Sequence, residues 1–387
     1  MIRNEPGNNR HYDYIFTGAG CAAMSLLMRL LQHPSTSNKR VLLVDKDNSG
    51  MRNKTWCFWE TGTGFFESIV HQEYERLWYH GNGYSQCSSI LPYHYKMVRG
   101  EDFYNHCMEE TSRHPNVEWL SGEVSAIDGD GEEAMVKING ELYSASYIFN
   151  SIIFRPPALK KNEHMLLQHF KGWFIEAEDL VFDPSAATLM DFRVSQEHGT
   201  AFVYVMPLSK RKALVEYTLF TAELLTAEQY EAALKLYIQA NIKTAYTILN
   251  KEEGKIPMTN YRWPESKGRL INIGTAGGQT KPSSGYTFQF IQQQADLLAK
   301  QLANGERPRP GSYQRTRFHF YDAVLLEVLA KQYLPGETIF TRLFRKNKLS
   351  RVLQFLGNQS ELTGELRIIS VLPKWPFLKA ALNQVFR

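Results

Sequence analysis

The 387-residue chain is 43% hydrophobic and 22% charged, with 44 basic and 40 acidic side chains. That length holds a large core and two or three sub-structures, which excludes a small stapled module, and the composition excludes a disordered chain. A formal charge of +4 gives no reason to expect a nucleic-acid partner. The charge is unevenly placed, however. Residues 331–387 hold ten Lys/Arg and three Glu, so this tail carries +7 and the remainder −3. A basic end suits an anionic surface or a solvated helix face.

Cys21, Cys57, Cys87 and Cys107 lie far apart with no C-x-x-C pair. This argues against a disulfide framework or a metal site, and for reduced thiols in a cytoplasmic setting. The first seven residues are polar and lack the apolar stretch of a signal peptide. No apolar run reaches the roughly 18 residues of a spanning helix. A soluble or peripheral protein is expected.

In chain order, Tyr14–Phe16 reads as a short strand, Gly18–Gly20 as a turn, and Cys21–Leu31 as an apolar helix buried against a sheet. Residues 33–38, with Pro34, break that helix, and Arg40–Asp45 follows as a second, parallel strand ending in an acid. A right-handed β-α-β crossover is the default geometry for such a unit. From Asn105 come a helix and short strands at Ala134–Ile138 and Tyr147–Phe149. Thr200–Met206 and Lys212–Phe220 are expected to pair as a hairpin across the short link 207–211. Thr226–Leu249 reads as a helix opened by a Thr226/Gln229 capping box. Arg269–Ile273 is another apolar strand, followed by a glycine-rich loop and a helix through Ala303; after Pro310 the chain reads as helical and basic.

Gly18-Ala19-Gly20-Cys21-Ala22-Ala23 is a G-x-G-x-x-A fingerprint. Gly18 permits the tight turn, Gly20 lets the backbone approach a pyrophosphate, and the small Ala23 lets helix and strand pack closely. The helix N-terminus then offers free N–H groups to the phosphates, and Asp45 can accept hydrogen bonds from ribose hydroxyls. An ordinary glycine turn is the bland alternative, but strand, helix, second strand and terminal acid agree on a dinucleotide. The acid disfavours a 2′-phosphate, so NADP does not suit this cradle. A second loop, with Gly274, Gly277, Gly278, Pro282 and Gly285, follows the late strand. Such a strand–loop–helix can supply a second helix dipole near a flavin, which favours FAD over NAD; a structural turn is the alternative.

With these residues in hand, the chain resembles the lycopene cyclases, the flavin-dependent carotenoid β-cyclases of bacteria and plants. Four segments carry the likeness: the fingerprint at 14–23, the aromatic run 53–60, the segment Asp191–Arg193 with 202–207 and 214–218, and the loop 273–288. The family often has two adjacent acids before a Thr, where this chain has Glu216-Tyr217. The resemblance implies acid-initiated, non-redox closure of the linear ends of lycopene to β-ionone rings, giving γ- and β-carotene. It also implies reduced FAD, with NADPH or NADH as reductant, and a lipophilic carotenoid substrate met at a membrane. The runner-up classes are a redox flavoprotein (monooxygenase or isoprenoid reductase) and a non-catalytic carotenoid-binding flavoprotein. Redox members usually show Gly-Asp where this chain has Gly274-Thr275.

The residues bear on that chemistry in their own right. Leu214, Glu216, Thr218 and Phe220 share one strand face. A carboxyl among them is either a desolvated general acid or a Glu on the wet side of an edge strand. Trp56, Phe58 and Trp59 offer π faces to a cation, or simply pack a core. Asp191 and Arg193 form an ion pair or orient the site; Tyr217 is a further candidate for the substrate pocket. Residues 340–355 mix basic and large apolar residues at helical spacing, as in an interfacial helix or one packed on its own domain.

The expected architecture is an α/β fold: a Rossmann-like FAD-binding domain, an inserted antiparallel-sheet substrate domain and a C-terminal helical region. In ranges, residues 1–85, 98–160 and 264–310 build the FAD-binding domain, 86–97 a sheet segment, 161–263 the substrate domain and 311–387 a basic, membrane-facing region. The expected location is the inner face of the cytoplasmic membrane.

Overall fold

A computed structural model describes residues 10–46, 53–311 and 313–385. The polar N-terminal residues 1–9, on which the signal-peptide reading rests, lie outside them. Among the described residues no helix is long and apolar enough to cross a membrane.

The β-α-β unit forms as its sequence dictates. His11–Thr17 pairs in parallel with Val41–Asp45 on one side and Glu141–Asn150 on the other. Leu270–Asn272 joins Glu141–Asn150 in parallel, and Val117–Ser121 flanks Val41–Asp45. Ala134–Ile138 and Val124–Asp128 complete a seven-stranded sheet. The helix Cys21–Gln32 is buried along all but its last residue, clasped by the helix Phe288–Ala303. Register places Thr17 opposite both Val44 and Asn150, and Asn150 opposite Asn272. The carboxyl ends of these strands therefore share one edge, where ligands of open α/β sheets bind.

A second seven-stranded sheet runs in the order Tyr246–Thr259, Met165–Ala177, Lys212–Thr221, Thr200–Pro207, Ala186–Asp191, Arg76–Gly81 and Tyr84–Ser89. The expected hairpin is there, with Tyr204 opposite Glu216. Strand alternation divides the faces. Leu214 and Phe220 join a core shared with the C-terminal helices, whereas Val215 and Tyr217 pack under the helix Ala227–Tyr237. A three-stranded sheet of Thr55–Glu60, His94–Arg99 and Val70–Tyr74 carries the aromatic run. The four cysteines are free.

Two expectations change. The helix opened by the Thr226/Gln229 capping box does not reach Leu249. It ends in a π-turn, Ile238–Ile242, closed by Lys243 in the left-handed region, and Tyr246–Thr259 is a strand. Pairing along the whole of Met165–Ala177 outweighs local helical preference there. Residues 340–355 form parts of two helices, Gly336–Lys346 and Leu349–Leu356. Their apolar face is Phe340, Leu343, Phe344, Leu349, Val352 and Leu353, and it is buried in the core. Those side chains close the open face of the large sheet and are not available to lipid. The exposed large apolar residues of the tail lie further on, in Leu362–Ser370 and Lys374–Val385.

Candidate active site

The Gly18–Gly20 turn is held by its own geometry. Gly18 sits at φ 90°, and a Cβ there would stand 2.3 Å from Ser151 Oγ, so a side chain meets both strain and a clash. The Ala19 N–H donates to Asp45 Oδ2 at 2.6 Å, which locks the turn to the acid of the second strand. Gly20 caps the helix without any side-chain cap bond, so the first-turn N–H groups meet no internal side-chain acceptor at that cap. Ala23 is fully buried at the helix–strand contact.

A cavity of about 340 Å³ runs from this turn to the large sheet. Gly20, Cys21 and Ser151 line one part of it, Gly274, Thr275, Gly285 and Thr287 of the late loop another, and Glu216 and Glu252 a third. Gly277, Gly278 and Pro282 do not line it. Gly277 closes a 3-10 turn begun at Gly274, and Gly278 caps that turn. The loop is anchored from behind by a buried cluster. Lys281 Nζ bonds Asp322 Oδ2 at 2.8 Å and Asn358 Oδ1 at 2.7 Å, and the Ser283 and Tyr313 hydroxyls donate to the same carboxylate. Burial pulls the Lys281 ammonium below its ordinary range, against the pull of Asp322. One loop hydroxyl, Ser284 Oγ, is buried, lines the cavity and has no hydrogen-bond partner among the described residues.

The acid lies on the dry side. Glu216 is 8% exposed and Glu252 6%, and the two carboxyls are hydrogen-bonded to each other. Thr218 Oγ1 donates to Glu216 Oε1 at 3.0 Å, and Thr55 Oγ1 to Glu252 Oε2 at 2.7 Å. Burial, and then the Glu252 charge, holds the Glu216 carboxyl well above the ordinary carboxylate range. Glu252 is raised by burial too, with the hydrogen bonds from Thr55 and Glu216 opposing this, so the two carboxyls titrate as a pair whose burial favours holding a proton. Three phenols stand beside it. Tyr95 and Tyr286 hydroxyls are 3.3 Å apart, Tyr204 bonds Tyr286, and burial pushes Tyr286 up to about 12, so they stay neutral.

The aromatic run divides. Trp56 lines the cavity, tilted against Phe288 with ring centroids 5.6 Å apart. Phe58 packs on Phe288, and Trp59 packs on Tyr286 and donates from Nε1 to the Leu353 carbonyl. Asp191 and Tyr217 are not brought to Glu216. Asp191 accepts from Arg193 Nη2 at 2.6 Å and from the Tyr237 hydroxyl at 2.7 Å. Burial alone would raise its carboxyl, yet those bonds hold it below the usual range. Tyr217 points to the opposite sheet face, toward the helix Ala227–Tyr237. Glu252 was not found from the sequence, although its place two residues before Gly254 on a strand follows the same alternation as Glu216.

A second cavity, about 500 Å³ and almost wholly apolar, meets the first at Tyr204, Ser284 and Tyr286. Phe220, Phe340 and Phe344 line it, as do Phe377 and the half-exposed Leu378 of the last helix. A largely apolar cavity among the C-terminal helices thus adjoins, across Tyr204, Ser284 and Tyr286, the cavity lined by Glu216, Glu252 and the Gly20 turn.

The sequence profile of the family described as lycopene cyclase protein matches residues 13–382. The chain is 24% identical over 301 residues to a lycopene beta-cyclase of Pantoea ananas, covering 75% of this chain and 74% of that one. Its fold is similar to that of a geranylgeranyl bacteriochlorophyll reductase-like protein of Thermoplasma acidophilum, with a TM-score of 0.64 at 11% identity over 97% and 99% of the two chains. It is also similar to a flavoprotein/dehydrogenase of Cytophaga hutchinsonii, with a TM-score of 0.60 at 12% identity over 97% and 99%. These likenesses place the architecture among mixed α/β flavoprotein folds with a Rossmann-type nucleotide domain.

Proposed function

The chain belongs to the lycopene cyclase family, and from that premise we propose that it closes the linear ends of lycopene to β-ionone rings, with Glu216 as the acid. One observation carries this reading: the buried Glu216 carboxyl, held well above the ordinary carboxylate range, lines the cavity at the Gly20 turn, and a largely apolar cavity adjoins it across Tyr204 and Tyr286. Protonating an unactivated alkene requires a donor shielded from water, and a buried carboxyl kept neutral near pH 7 is such a donor. The apolar cavity presents hydrocarbon to hydrocarbon, and the neutral phenols and Trp56 face the developing cation with π electrons instead of nucleophiles. Lycopene and its cyclised product have the same composition, so the reaction is an isomerisation.

FAD fits the cradle. The uncapped turn of Cys21–Gln32, the Asp45 carboxylate, the cavity beside Gly274 and Gly285, and the unpartnered Ser284 hydroxyl are the groups that would hold it. Bound in its reduced form, with NADPH or NADH as the reductant, the flavin would supply electron-rich stabilisation to cationic chemistry in the site. Gly18→Val should remove this binding, because the new Cβ would overlap Ser151 and the backbone would be strained by about 1–3 kcal/mol. Purified variant protein is expected to be colourless and folded; a normal flavin content would refute the cradle.

The substrate is lipid-soluble, so we also place the protein on the inner face of the cytoplasmic membrane. What supports this is the exposed set Leu362, Leu366, Trp375, Leu382 and Val385, with Trp375 83% exposed, beside the cavity-lining Lys374, Phe377 and Leu378. Apolar side chains flanked by Arg367, Lys374 and Lys379 suit an anionic interface. Leu366→Glu with Trp375→Glu should reduce co-sedimentation with anionic vesicles several-fold at an unchanged melting temperature. Undiminished sedimentation would move the membrane face elsewhere.

The cyclisation itself is tested by expressing the chain in lycopene-accumulating bacteria. Chromatography and absorption spectra should show monocyclic or bicyclic carotene. Unchanged lycopene, with folded and flavin-loaded protein, would overturn the reading.

A further inference from the structure

We propose that Glu252 is the second catalytic carboxyl of this site: it shares one proton with Glu216 and takes up the proton that the new ring must lose. This rests on the cyclase reading above and deepens it. Two glutamates from strands that are not neighbours meet here because of one residue. Gly172, on the strand between them, is the register partner of both Glu216 and Glu252. Strands lie about 4.8 Å apart, so the two backbones are separated by roughly 10 Å and their side chains must close over the middle strand. A Cβ at Gly172 would stand 3.1 Å from Glu252 Cγ, 3.4 Å from Glu216 Cβ and 2.9 Å from Leu214 Cδ1. The missing side chain is what lets the pair form. Glycine inside a strand is otherwise unfavourable, so its presence here fits a close approach.

The surroundings suit a pair that holds a single proton. Facing it are the Cys57 thiol, raised by burial and then by the two carboxyls, and the phenols of Tyr95, Tyr204 and Tyr286. All four are neutral. Lys54 and the exposed Lys255 line the same cavity, and among the described residues neither pairs with the two carboxyls. Thr55 and Thr218 each donate to one member. Two buried charges this close would repel strongly, whereas one proton between them satisfies both. Both carboxyls line the cavity, so both can reach a ring forming there.

The chemistry then balances within the chain. The Glu216 O–H bond breaks and a C–H bond forms at the terminal alkene carbon, leaving a tertiary cation. The neighbouring double bond attacks it and forms the ring C–C bond. A ring C–H bond breaks, its electron pair becomes the ring double bond, and the proton goes to the Glu252 carboxylate. The pair starts with its proton on Glu216 and ends with it on Glu252. Transfer along the hydrogen bond between them restores the starting state, with no oxidant or reductant consumed.

The test is Glu252→Gln in the flavin-loaded full chain, which keeps a hydrogen-bonding side chain for Thr55. Turnover should fall about 100-fold or more, the usual scale of a lost acid–base group. The alkaline limb of the kcat–pH profile should move to lower pH, because Glu216 loses the neighbouring charge that keeps it protonated. A protonated-carboxyl band in infrared difference spectra of the purified protein, absent from Glu216→Gln, should titrate at lower pH in Glu252→Gln. Turnover within about twofold of wild type, or an unmoved midpoint and alkaline limb, overturns the role of Glu252 while wild-type cyclisation leaves the reading standing. Wild-type protein that forms no cyclic carotene overturns the reading, and the relay with it.

Discussion

Glu216→Gln is expected to lower cyclisation by about 10²–10⁴-fold while the protein keeps its fold and its flavin. The amide preserves size and can still bond Thr218 and Glu252, so packing under Tyr204 is little disturbed. It cannot supply the proton. The same substitution should also make the protein more stable at neutral pH. Unfolded, a Glu titrates near 4.5, and burial followed by the Glu252 charge raises the folded value well above this. Between those two values the folded chain holds a proton that the unfolded chain has released, so stability falls as pH rises through the window. Below it both states are protonated and the penalty vanishes. Melting curves of wild type and variant should therefore converge toward pH 4.5 and separate above it, with the glutamine form melting higher. A variant that loses stability together with activity would mark Glu216 as a structural group.

Lys281→Met should be strongly destabilising although it lies outside the three sheets. Lys281 and Asp322 side chains are 2% and 5% exposed, and the methionine leaves the carboxylate with hydroxyl donors but no cation. Breaking a buried pair from one side costs about 3–5 kcal/mol, a large part of a typical domain's stability. The loss should appear in denaturant unfolding, and with it reduced flavin retention, because the loop carrying Gly274 and Gly285 loses its anchor to the C-terminal helices. Lys281→Met with Asp322→Leu should recover part of that stability. An unchanged unfolding midpoint for the single variant would show that the cluster carries little of the fold.

Much of this was legible in the sequence because it depends on local rules. The fingerprint turn, its apolar helix and the acid-ended strand follow from spacing alone, and each forms within a residue of its expected bounds. The alternation that put Leu214, Glu216, Thr218 and Phe220 on one face survives folding, because a strand's two faces cannot exchange without a register slip. What remained hidden depends on partners distant in the chain. Lys251-Glu252-Glu253 has the composition of a solvent-facing stretch, and only pairing with Met165–Ala177 buries the middle residue. Gly172 gains meaning only from two strands that reach it from opposite sides. An amphipathic helix shows its apolar stripe to any reader, but not what covers it. Residues 340–355 turn theirs inward, whereas Trp375 and Leu382 turn outward. Tyr217, next to Glu216 in sequence, is for the same reason of alternation on the far side of the sheet.

The most direct test of the central claim is the mass of the product formed by purified, flavin-loaded protein from lycopene supplied in anionic vesicles under reducing conditions. A cyclic carotene with the mass of lycopene, formed without stoichiometric consumption of the reductant, is the expected result. A product lighter or heavier by hydrogen or oxygen, formed in step with reductant consumption, would contradict it and make the chain a redox flavoprotein.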